Sequence, residues 1–189
     1  MKYQLFTLAF LSGALFAHGQ GTFVWDQQIT GSVDGFAFLN NQPSGQPFTP
    51  SQSSMDVATF FLGSGSVPSD IEVNLWSGSI NGTLLATSLP TTVPAASSDT
   101  YYFFFSAPVS LTPGAVYYLQ PVAINGSGVG ANLVNAPNGS GGAIVGGAVR
   151  TDFNFWFQEG SVVPEPSSAL FLVLAGSLGY FYCVRRGKA

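Results

Sequence analysis

The sequence has few ionisable side chains, and the scarcest of them lie at its two ends. Only 7% of the 189 residues are charged, against about 25% in typical soluble domains. The one histidine, His18, the one cysteine, Cys183, and both lysines, Lys2 and Lys188, belong to the terminal segments. The centre of the chain therefore cannot build a Ser-His-Asp triad, a Cys-His pair, a Ser-Lys dyad or a histidine-ligated zinc site. We predict no enzymatic activity and no cofactor.

Positive charge is almost absent between Gln20 and Val163, where Arg150 is the sole basic residue. The net charge of this stretch is −7, because it also holds eight carboxylates: Asp26, Asp34, Asp56, Asp70, Glu72, Asp99, Asp152 and Glu159. Binding to nucleic acid needs many Lys and Arg residues to neutralise phosphates. The composition therefore excludes nucleic acid as a partner. The same stretch has no cysteine, so its fold rests on packing and hydrogen bonds rather than disulfides.

Carboxylates are the remaining source of reactive chemistry. A glycoside hydrolase needs two of them about 5–10 Å apart across a bound sugar. Glu72 and Glu159 are the glutamates of the central stretch, but no motif selects a catalytic pair. Carboxylate-dependent glycoside hydrolysis is therefore the least favoured alternative. Ca²⁺ needs only oxygen ligands, but no EF-hand or D-x-D pattern is present, so a calcium site stays unassigned.

Aromatic and turn-forming residues dominate what is present. Aromatics make up 14% of the chain, including 17 Phe, which indicates a folded centre, because disordered chains are poor in aromatics. Glycine and proline interrupt every helical period, so we predict an all-β fold with about eight or nine short strands. The clearest strands are Met55–Leu62, Ile71–Trp76, Tyr101–Phe105, Val116–Pro121 and Phe153–Phe157, and weaker ones are Thr22–Trp25, Gly35–Leu39, Leu84–Thr87 and Ala143–Val149.

Turn signals separate these segments. Asn81-Gly82, Asn125-Gly126 and Asn138-Gly139 are dipeptides typical of hairpin turns. Pro113-Gly114 fits the centre of a type II turn. Short strands at this spacing predict a single β-sandwich, most simply a jelly roll.

The N-terminus has the pattern of a secretory signal peptide. Lys2 supplies a positive charge, Leu5 to Phe16 is apolar, and Ala17-His18-Gly19 places small residues at −3 and −1 of a cut before Gln20. We therefore predict that residues 1–19 are a signal peptide. A buried N-terminal strand or helix and an uncut anchor are the alternatives, although the apolar run is short for an anchor.

The C-terminus has the pattern of a membrane helix with a basic end. Residues 169–184 contain no charge, and sixteen helical residues span about 24 Å, which is short but usable in a bilayer. Arg185, Arg186 and Lys188 in the tail 185–189 favour the cytoplasmic side. The domain before this helix would then lie outside the cytoplasm, as the N-terminal signal also requires.

The segment 161–168 and the helix after it resemble the PEP-CTERM sorting signal of Gram-negative bacteria. The resemblance rests on the Pro164-Glu165-Pro166 triplet after Val163, on Ser167 and Ser168, on Gly176 and Gly179 in the helix, and on the terminal arginines. It implies recognition by an exosortase, cleavage near the triplet after an inner-membrane intermediate, and delivery to the cell surface or an exopolysaccharide matrix. It implies nothing about the domain before the tail. The alternative is a plain single-pass anchor.

The central domain, residues 20–160, resembles the jelly-roll ectodomains often joined to bacterial surface-sorting tails, called choice-of-anchor domains. The similar segments are Phe48-Thr49-Pro50, Leu111-Thr112-Pro113-Gly114 and Tyr117-Tyr118-Leu119. The resemblance is diffuse and implies a β-sandwich without functional residues.

Two tryptophans are the candidate carbohydrate contacts. Alternation along Ile71–Trp76 places Trp76 with Glu72 and Asn74 on one face, and alternation along Phe153–Gln158 places Trp156 with Asn154 and Gln158. An aromatic ring stacks on the apolar face of a sugar while polar neighbours bond its hydroxyls. Alternatively, both rings cover a second hydrophobic layer.

The sequence thus favours an exported, non-catalytic surface or matrix protein associated with exopolysaccharide or biofilm. A carbohydrate-binding module that uses Trp76 and Trp156 is the second hypothesis.

Overall fold

The computed structural model describes residues 21–31, 34–36, 41–126, 128–136 and 142–163. These residues form fourteen strands, and no α-helix occurs among them, which confirms the all-β prediction for this part of the chain. In chain order the strands are β1 (Thr22–Ile29), β2 (Asp34–Phe36), β3 (Gln46–Phe48), β4 (Ser54–Ser64), β5 (Ser69–Ser77), β6 (Thr83–Thr87), β7 (Thr91–Val93), β8 (Ser98–Ser110), β9 (Tyr117–Ala123), β10 (Val129–Asn135), β11 (Ala143–Val145), β12 (Ala148–Arg150), β13 (Phe153–Phe155) and β14 (Phe157–Val163).

Several predictions concern residues outside these ranges. They are the signal peptide, the Pro164–Ser168 motif, the helix 169–184, the basic tail and the Asn138-Gly139 turn. The chain divides into two compact units, Phe23–Ser161 and Met1–Thr22 with Val162–Ala189. Of the second unit the structure describes only residues 21, 22, 162 and 163. Within the described ranges, no helix is long and apolar enough to cross a membrane.

The strands form two antiparallel sheets of a β-sandwich and one small hairpin. The seven-stranded sheet has the order β1-β14-β4-β10-β13, with β8 also on β4 and β2 also on β10. The five-stranded sheet has the order β3-β9-β5-β6, with β7 also on β5. Strands β11 and β12 form the hairpin. The sandwich prediction is confirmed at this level, and the jelly-roll connectivity stays a prediction.

The core lies between the two sheets and is built from alternating strand residues. In β5, Ile71, Val73 and Leu75 are all fully buried, as the alternation predicts. From the seven-stranded sheet, Phe60 meets the rings of Phe103, Phe155 and Phe157 at centroid distances of 6.3, 6.4 and 6.5 Å. Aromatic pairs at these separations add to the free energy gained from burial. Apolar side chains of both sheets therefore share one core.

The predicted strand Phe153–Phe157 is divided in two at Trp156. β4 and β10 pair directly where Leu62 lies opposite Ala131. Further along, on the side of Phe60 and Leu133, they separate, and the segment that contains β13 and β14 lies between them. There β13 pairs with β10, whereas β14 pairs with β4. The N–H of Trp156 donates to the carbonyl of Asn132 at 2.8 Å. The strand changes partners at this residue because β4 and β10 separate.

Several other strands differ from the prediction. The short strands β3 and β7, and the longer β10, were not predicted, because Pro47 and Gly130 resemble loop residues. The predicted strand Ala143–Val149 is the hairpin β11–β12, which turns at Gly146 and Gly147 with φ of +60° and +80°. Only β2 of the predicted segment Gly35–Leu39 lies in the described ranges.

Two predicted turns occur as expected. Gly114 has φ of +81°, and the N–H of Ala115 donates to the carbonyl of Thr112 at 3.1 Å, which defines a type II turn at Pro113-Gly114. Asn81, with φ of +63°, lies in the turn of the β5–β6 hairpin. A Cβ on Gly82 would lie 2.4 Å from the carbonyl oxygen of Ser77, so this turn requires glycine.

A buried amide joins the two sheets. Gln46 of β3 is 2% exposed, and its Oε1 accepts the N–H of Phe155 in β13 at 2.7 Å. Its Nε2 donates to Asn154 Oδ1 at 3.1 Å, and the same oxygen accepts the N–H of Gly142 at 2.9 Å. The side chain of Gln46 therefore satisfies polar groups of the opposite sheet inside an apolar core.

We expect Gln46→Leu to lower the free energy of unfolding by about 2 kcal/mol, because the N–H of Phe155 would stay buried without this acceptor. Urea unfolding of the full-length chain measures the difference. Gln28→Leu is the matched control, because Gln28 is exposed and its Oε1 accepts a hydrogen bond from the side chain of Gln158 at the surface. It should change stability by less than about 0.5 kcal/mol. Equal effects of the two substitutions would contradict the role of Gln46.

Candidate functional site

Trp76 lies on the outer face of the five-stranded sheet and is half-buried. Its indole N–H donates to Gln120 Oε1 at 2.7 Å, and Gln120 Nε2 donates to Gln42 Oε1 at 3.0 Å. Tyr118 and Leu84 are its neighbours in register on β9 and β6. The polar end of Trp76 is therefore already bound within the protein.

Trp156 lies on the outer face of the seven-stranded sheet, so the structure places the two tryptophans on different sheets. Its ring packs edge-on against Phe61 at 6.0 Å between centroids. The three phenylalanines that alternate with it, Phe153, Phe155 and Phe157, pack on the inner side. Trp76 and Trp156 do not form one site.

A larger group of aromatic rings lies on the outer face of the seven-stranded sheet. We call Phe23 and Trp25 of β1 and Tyr102 and Phe104 of β8 the outer aromatic cluster. Phe23 lies 5.2 Å from Trp25, 5.2 Å from Tyr102 and 6.3 Å from Phe104 between ring centroids. Phe23, Tyr102 and Phe104 are 37%, 39% and 40% exposed. These four rings form a continuous, partly exposed apolar surface.

The alternation of β8 explains one half of this cluster. Phe103 and Phe105 point into the core, at 0% and 6% exposure, so Tyr102 and Phe104 between them point outward. In register on β4, Thr59 pairs with Tyr102 and Val57 pairs with Phe104. Both β4 residues are fully buried although they face away from the core. The aromatic rings therefore form a second layer over the centre of the sheet.

The close approach of β1 to β14 explains the other half. Gly160 of β14 pairs in register with Val57. A Cβ on Gly160 would lie 2.1 Å from the carbonyl oxygen of Val24 and 2.9 Å from the Cα of Trp25. Only glycine lets the β1 backbone come this close, and this brings Phe23 and Trp25 over the sheet to the rings of β8.

Sequence reasoning missed this cluster, although it found both strands. The sequence pattern that could have revealed it is a pair of aromatic residues two positions apart in each strand, Phe23 with Trp25 and Tyr102 with Phe104. The distance along the chain hid their contact, because β14 and β4 lie between β1 and β8 in the sheet.

The carboxyl group of Asp26 is held by the loop before β4. It accepts the N–H of Ser51 at 2.6 Å and that of Gln52 at 2.9 Å, and the hydroxyl of Ser51 also donates to it. Burial alone would raise the pKa of Asp26, but these hydrogen bonds lower it below its ordinary value. Asp26 is therefore an anion that fixes the loop against β1.

Glu159 of β14 lies on the inner side and is 1% exposed. Burial, together with the nearby charge of Asp26, raises its pKa to about 8, although the N–H of Gln27 donates to it. Among the described residues its Oε1 has no hydrogen-bond partner. Glu72 faces outward on the other sheet, so the structure does not bring the two glutamates together at a surface.

Other chemistry is sparse in the described ranges. No group of three or more His, Cys, Asp or Glu residues is placed there to hold a metal ion. The guanidinium of Arg150 is paired with Asp152 at 2.8 Å. An open cleft of about 410 Å³ lies beside Gln27, Gln46, Phe48 and Asn154. The amide oxygens of these three polar residues already bond other parts of the protein.

Comparison with known proteins gives little further information. No family model matches the chain, and no curated protein matches it. Among solved structures it is similar to CsCBM6-3, a carbohydrate-binding module from Clostridium stercorarium solved with cellobiose, at 15% identity and a TM-score of 0.31 over 59% of this chain and 89% of that one. It is also similar to a chain of infectious bursal disease virus, Gx strain, at 13% identity and a TM-score of 0.28 over 79% of this chain and 44% of that one. TM-scores this low carry no argument about function.

The geometry predicts that Gly160→Ala disrupts the outer aromatic cluster, because the added methyl group would collide with the β1 backbone. We expect a loss of about 1–3 kcal/mol in the free energy of unfolding, with a reduced near-ultraviolet circular dichroism signal from the displaced rings. Gly63→Ala in β4 is the matched control, since its Cβ would meet no atom closer than 3.5 Å. If both variants behave like the parent protein, β1 does not depend on Gly160.

Proposed function

We propose that this protein is an exported, non-catalytic β-sandwich that binds uncharged polysaccharide at the outer aromatic cluster. The observation that carries this proposal is the contact among the four rings of the cluster. Phe23, Tyr102 and Phe104 are each more than a third exposed to solvent. Apolar surfaces of this kind on soluble proteins commonly mark interaction sites. Aromatic rings suit the C–H faces of sugars, and the phenol of Tyr102 adds a hydrogen-bonding group.

The net negative charge of the domain favours an uncharged ligand. In the described ranges the one basic side chain, Arg150, is paired with Asp152, while the stretch from Gln20 to Val163 carries a net charge of −7. Nucleic acids, anionic lipids and uronate-rich polysaccharides would be repelled by this field. A neutral polysaccharide is not repelled by the negative charge of the domain and can bind through apolar contacts and hydrogen bonds.

The terminal segments support the place of action that we propose. The signal peptide 1–19 would direct export, and the PEP-CTERM-like tail would hold the chain in the inner membrane until an exosortase cleaves it near Pro164-Glu165-Pro166. Release to the cell surface or the extracellular matrix of a Gram-negative bacterium would bring a jelly-roll-like domain next to exopolysaccharide. Trp76 and Trp156 are the alternative contacts within the same functional class.

Processing should depend on the triplet. In its native host, we expect the mature protein to begin near Gln20, to end near Pro164–Pro166, and to lie outside the inner membrane. Replacing Glu165 and both prolines of the triplet by alanine should leave the tail attached, as intact mass and cell fractionation would show. Pro94→Ala, at an exposed proline, is the control. A protein that keeps Arg185–Ala189 in the inner membrane with or without the triplet is an ordinary single-pass protein.

Binding should depend on the cluster rather than on the other tryptophans. We expect Tyr102→Ala or Phe104→Ala to weaken binding to a soluble neutral polysaccharide by about two- to tenfold each, because each removes one ring contact. Affinity electrophoresis in gels that contain hydroxyethylcellulose, xyloglucan or galactomannan, with alginate as the anionic comparison, measures this.

Trp76→Ala and Trp156→Ala are the controls for position, and both should retain binding. A loss confined to either of them would move the site away from the cluster. No retardation of the parent protein by any neutral polysaccharide would overturn the proposal.

A further inference from the structure

Two adjacent residues of β14 attach β1 to the sandwich. Glu159 accepts the N–H of Gln27 in β1, and Gly160 lies directly against the backbone at Val24. Glu159 is almost wholly buried, and its Oε1 has no hydrogen-bond partner among the described residues. The strand that carries Phe23 and Trp25 is therefore held beside a buried carboxyl group that is only partly satisfied.

The surroundings of Glu159 favour its neutral form. The charged group of β1 that acts on it is Asp26, whose carboxylate is fixed by Ser51 and Gln52. From β4, Ala58 is its partner in register, and Asp56 lies two residues earlier, at the irregularity between Met55 and Val57. Among the described residues the one basic side chain, Arg150, is paired with Asp152 and does not neutralise Glu159. A negative charge on Glu159 would be buried beside another negative charge.

We propose that Glu159, close to the charge of Asp26, forms a pH-sensitive contact with β1, and that ionisation of Glu159 releases β1 and with it half of the outer aromatic cluster. The conclusion that this release weakens polysaccharide binding rests on the proposed function. The release itself depends only on the contacts among β1, β14 and the loop before β4.

The direction of the effect follows from proton linkage. In the closed protein the pKa of Glu159 is about 8, whereas in an open state, exposed to water, it returns to the ordinary value of about 4.3. The contribution of the neutral carboxyl group to stability is therefore complete below the open-state pKa and is lost as the pH rises through the closed-state pKa. The opening equilibrium of β1 should rise about tenfold per pH unit above pH 5 and level off near pH 8.

Hydrogen exchange of the full-length protein without any ligand tests the release. Between pH 6 and pH 9 we expect amides of Thr22–Ile29 in the parent protein to exchange progressively faster than those of Glu159→Gln at the same pH. Comparison at equal pH removes the intrinsic pH dependence of exchange, and peptides from Ile71–Trp76 in the same samples report global unfolding. The ratio between the two proteins should reach at least tenfold at pH 8.

Asp26→Asn supplies a second, independent variant. It retains an oxygen acceptor for Ser51 and Gln52 but removes the charge that faces Glu159, so the rise should level off at a lower pH than in the parent protein. Equal exchange of β1 in the parent protein and in Glu159→Gln across the range would overturn the proposal. An equal acceleration in Ile71–Trp76 would also overturn it, because the change would then be global.

Polysaccharide binding provides a separate measurement. If β1 opens as expected and a neutral polysaccharide is bound, affinity should fall between pH 6 and pH 9 in the parent protein and stay constant in Glu159→Gln. If β1 opens but no polysaccharide binds, the proposed function fails and the pH-sensitive contact stands. If polysaccharide binds but β1 does not open, the pH-sensitive contact fails and the proposed function stands.

Discussion

The central strand β4 sets the arrangement of the other strands in the seven-stranded sheet. It pairs with β8 along one edge, and with β14 and then β10 along the other. Both of its faces are covered, since Phe60 and Leu62 lie in the core while Val57 and Thr59 are fully buried on the outer side. A strand buried on both faces has a nearly continuous apolar sequence rather than an alternating one. The segment Val57–Leu62 has this character, and it requires the outer aromatic cluster to shield its second face.

This requirement does not conflict with the binding role that we propose for the cluster. The rings of Tyr102 and Phe104 stand over Thr59 and Val57 in register and exclude water from them, which is a structural function. The same rings stay about 40% exposed, because no further element of the described chain covers them. A large ring can bury one part against a sheet and present another part to solvent. Tyr102 and Phe104 do both, and their accessible ring surface favours the binding role that we propose.

The sequence predicted the positions of most strong strands but gave no prediction of their partners. Alternation in Ile71–Trp76 assigned each residue to the correct face because β5 is apolar on one side only. It could not show that the strand after Phe153 changes partners at Trp156, since that break arises from the separation of β4 and β10. The strands β3, β7 and β10 escaped prediction because they are short or contain Pro47 and Gly130, although each places apolar side chains in the core.

The outer aromatic cluster was harder to predict than the fold, because strand alternation directed attention to Trp76 and Trp156, which stay untested as carbohydrate contacts. Trp76 and Trp156 are conspicuous in the sequence, yet the first uses its N–H on Gln120 and the second packs on Phe61. The cluster instead depends on a contact between strands far apart in sequence, which Gly160 permits by having no side chain. A glycine in a strand interior signals close backbone approach, but it does not identify the approaching strand.

The scarcity of cations links the surface chemistry of this protein to its interior. On the surface, a field of carboxylates with Arg150 already paired leaves apolar contact and neutral hydrogen bonds as the means of recognition. Inside, Glu159 has no basic partner among the described residues, so its carboxyl group is accommodated by protonation rather than by an ion pair. A lysine or arginine near β1 would stabilise the ionised form and remove its sensitivity to pH. A single feature of composition therefore underlies both proposals, an uncharged ligand and a binding strand whose release depends on one proton.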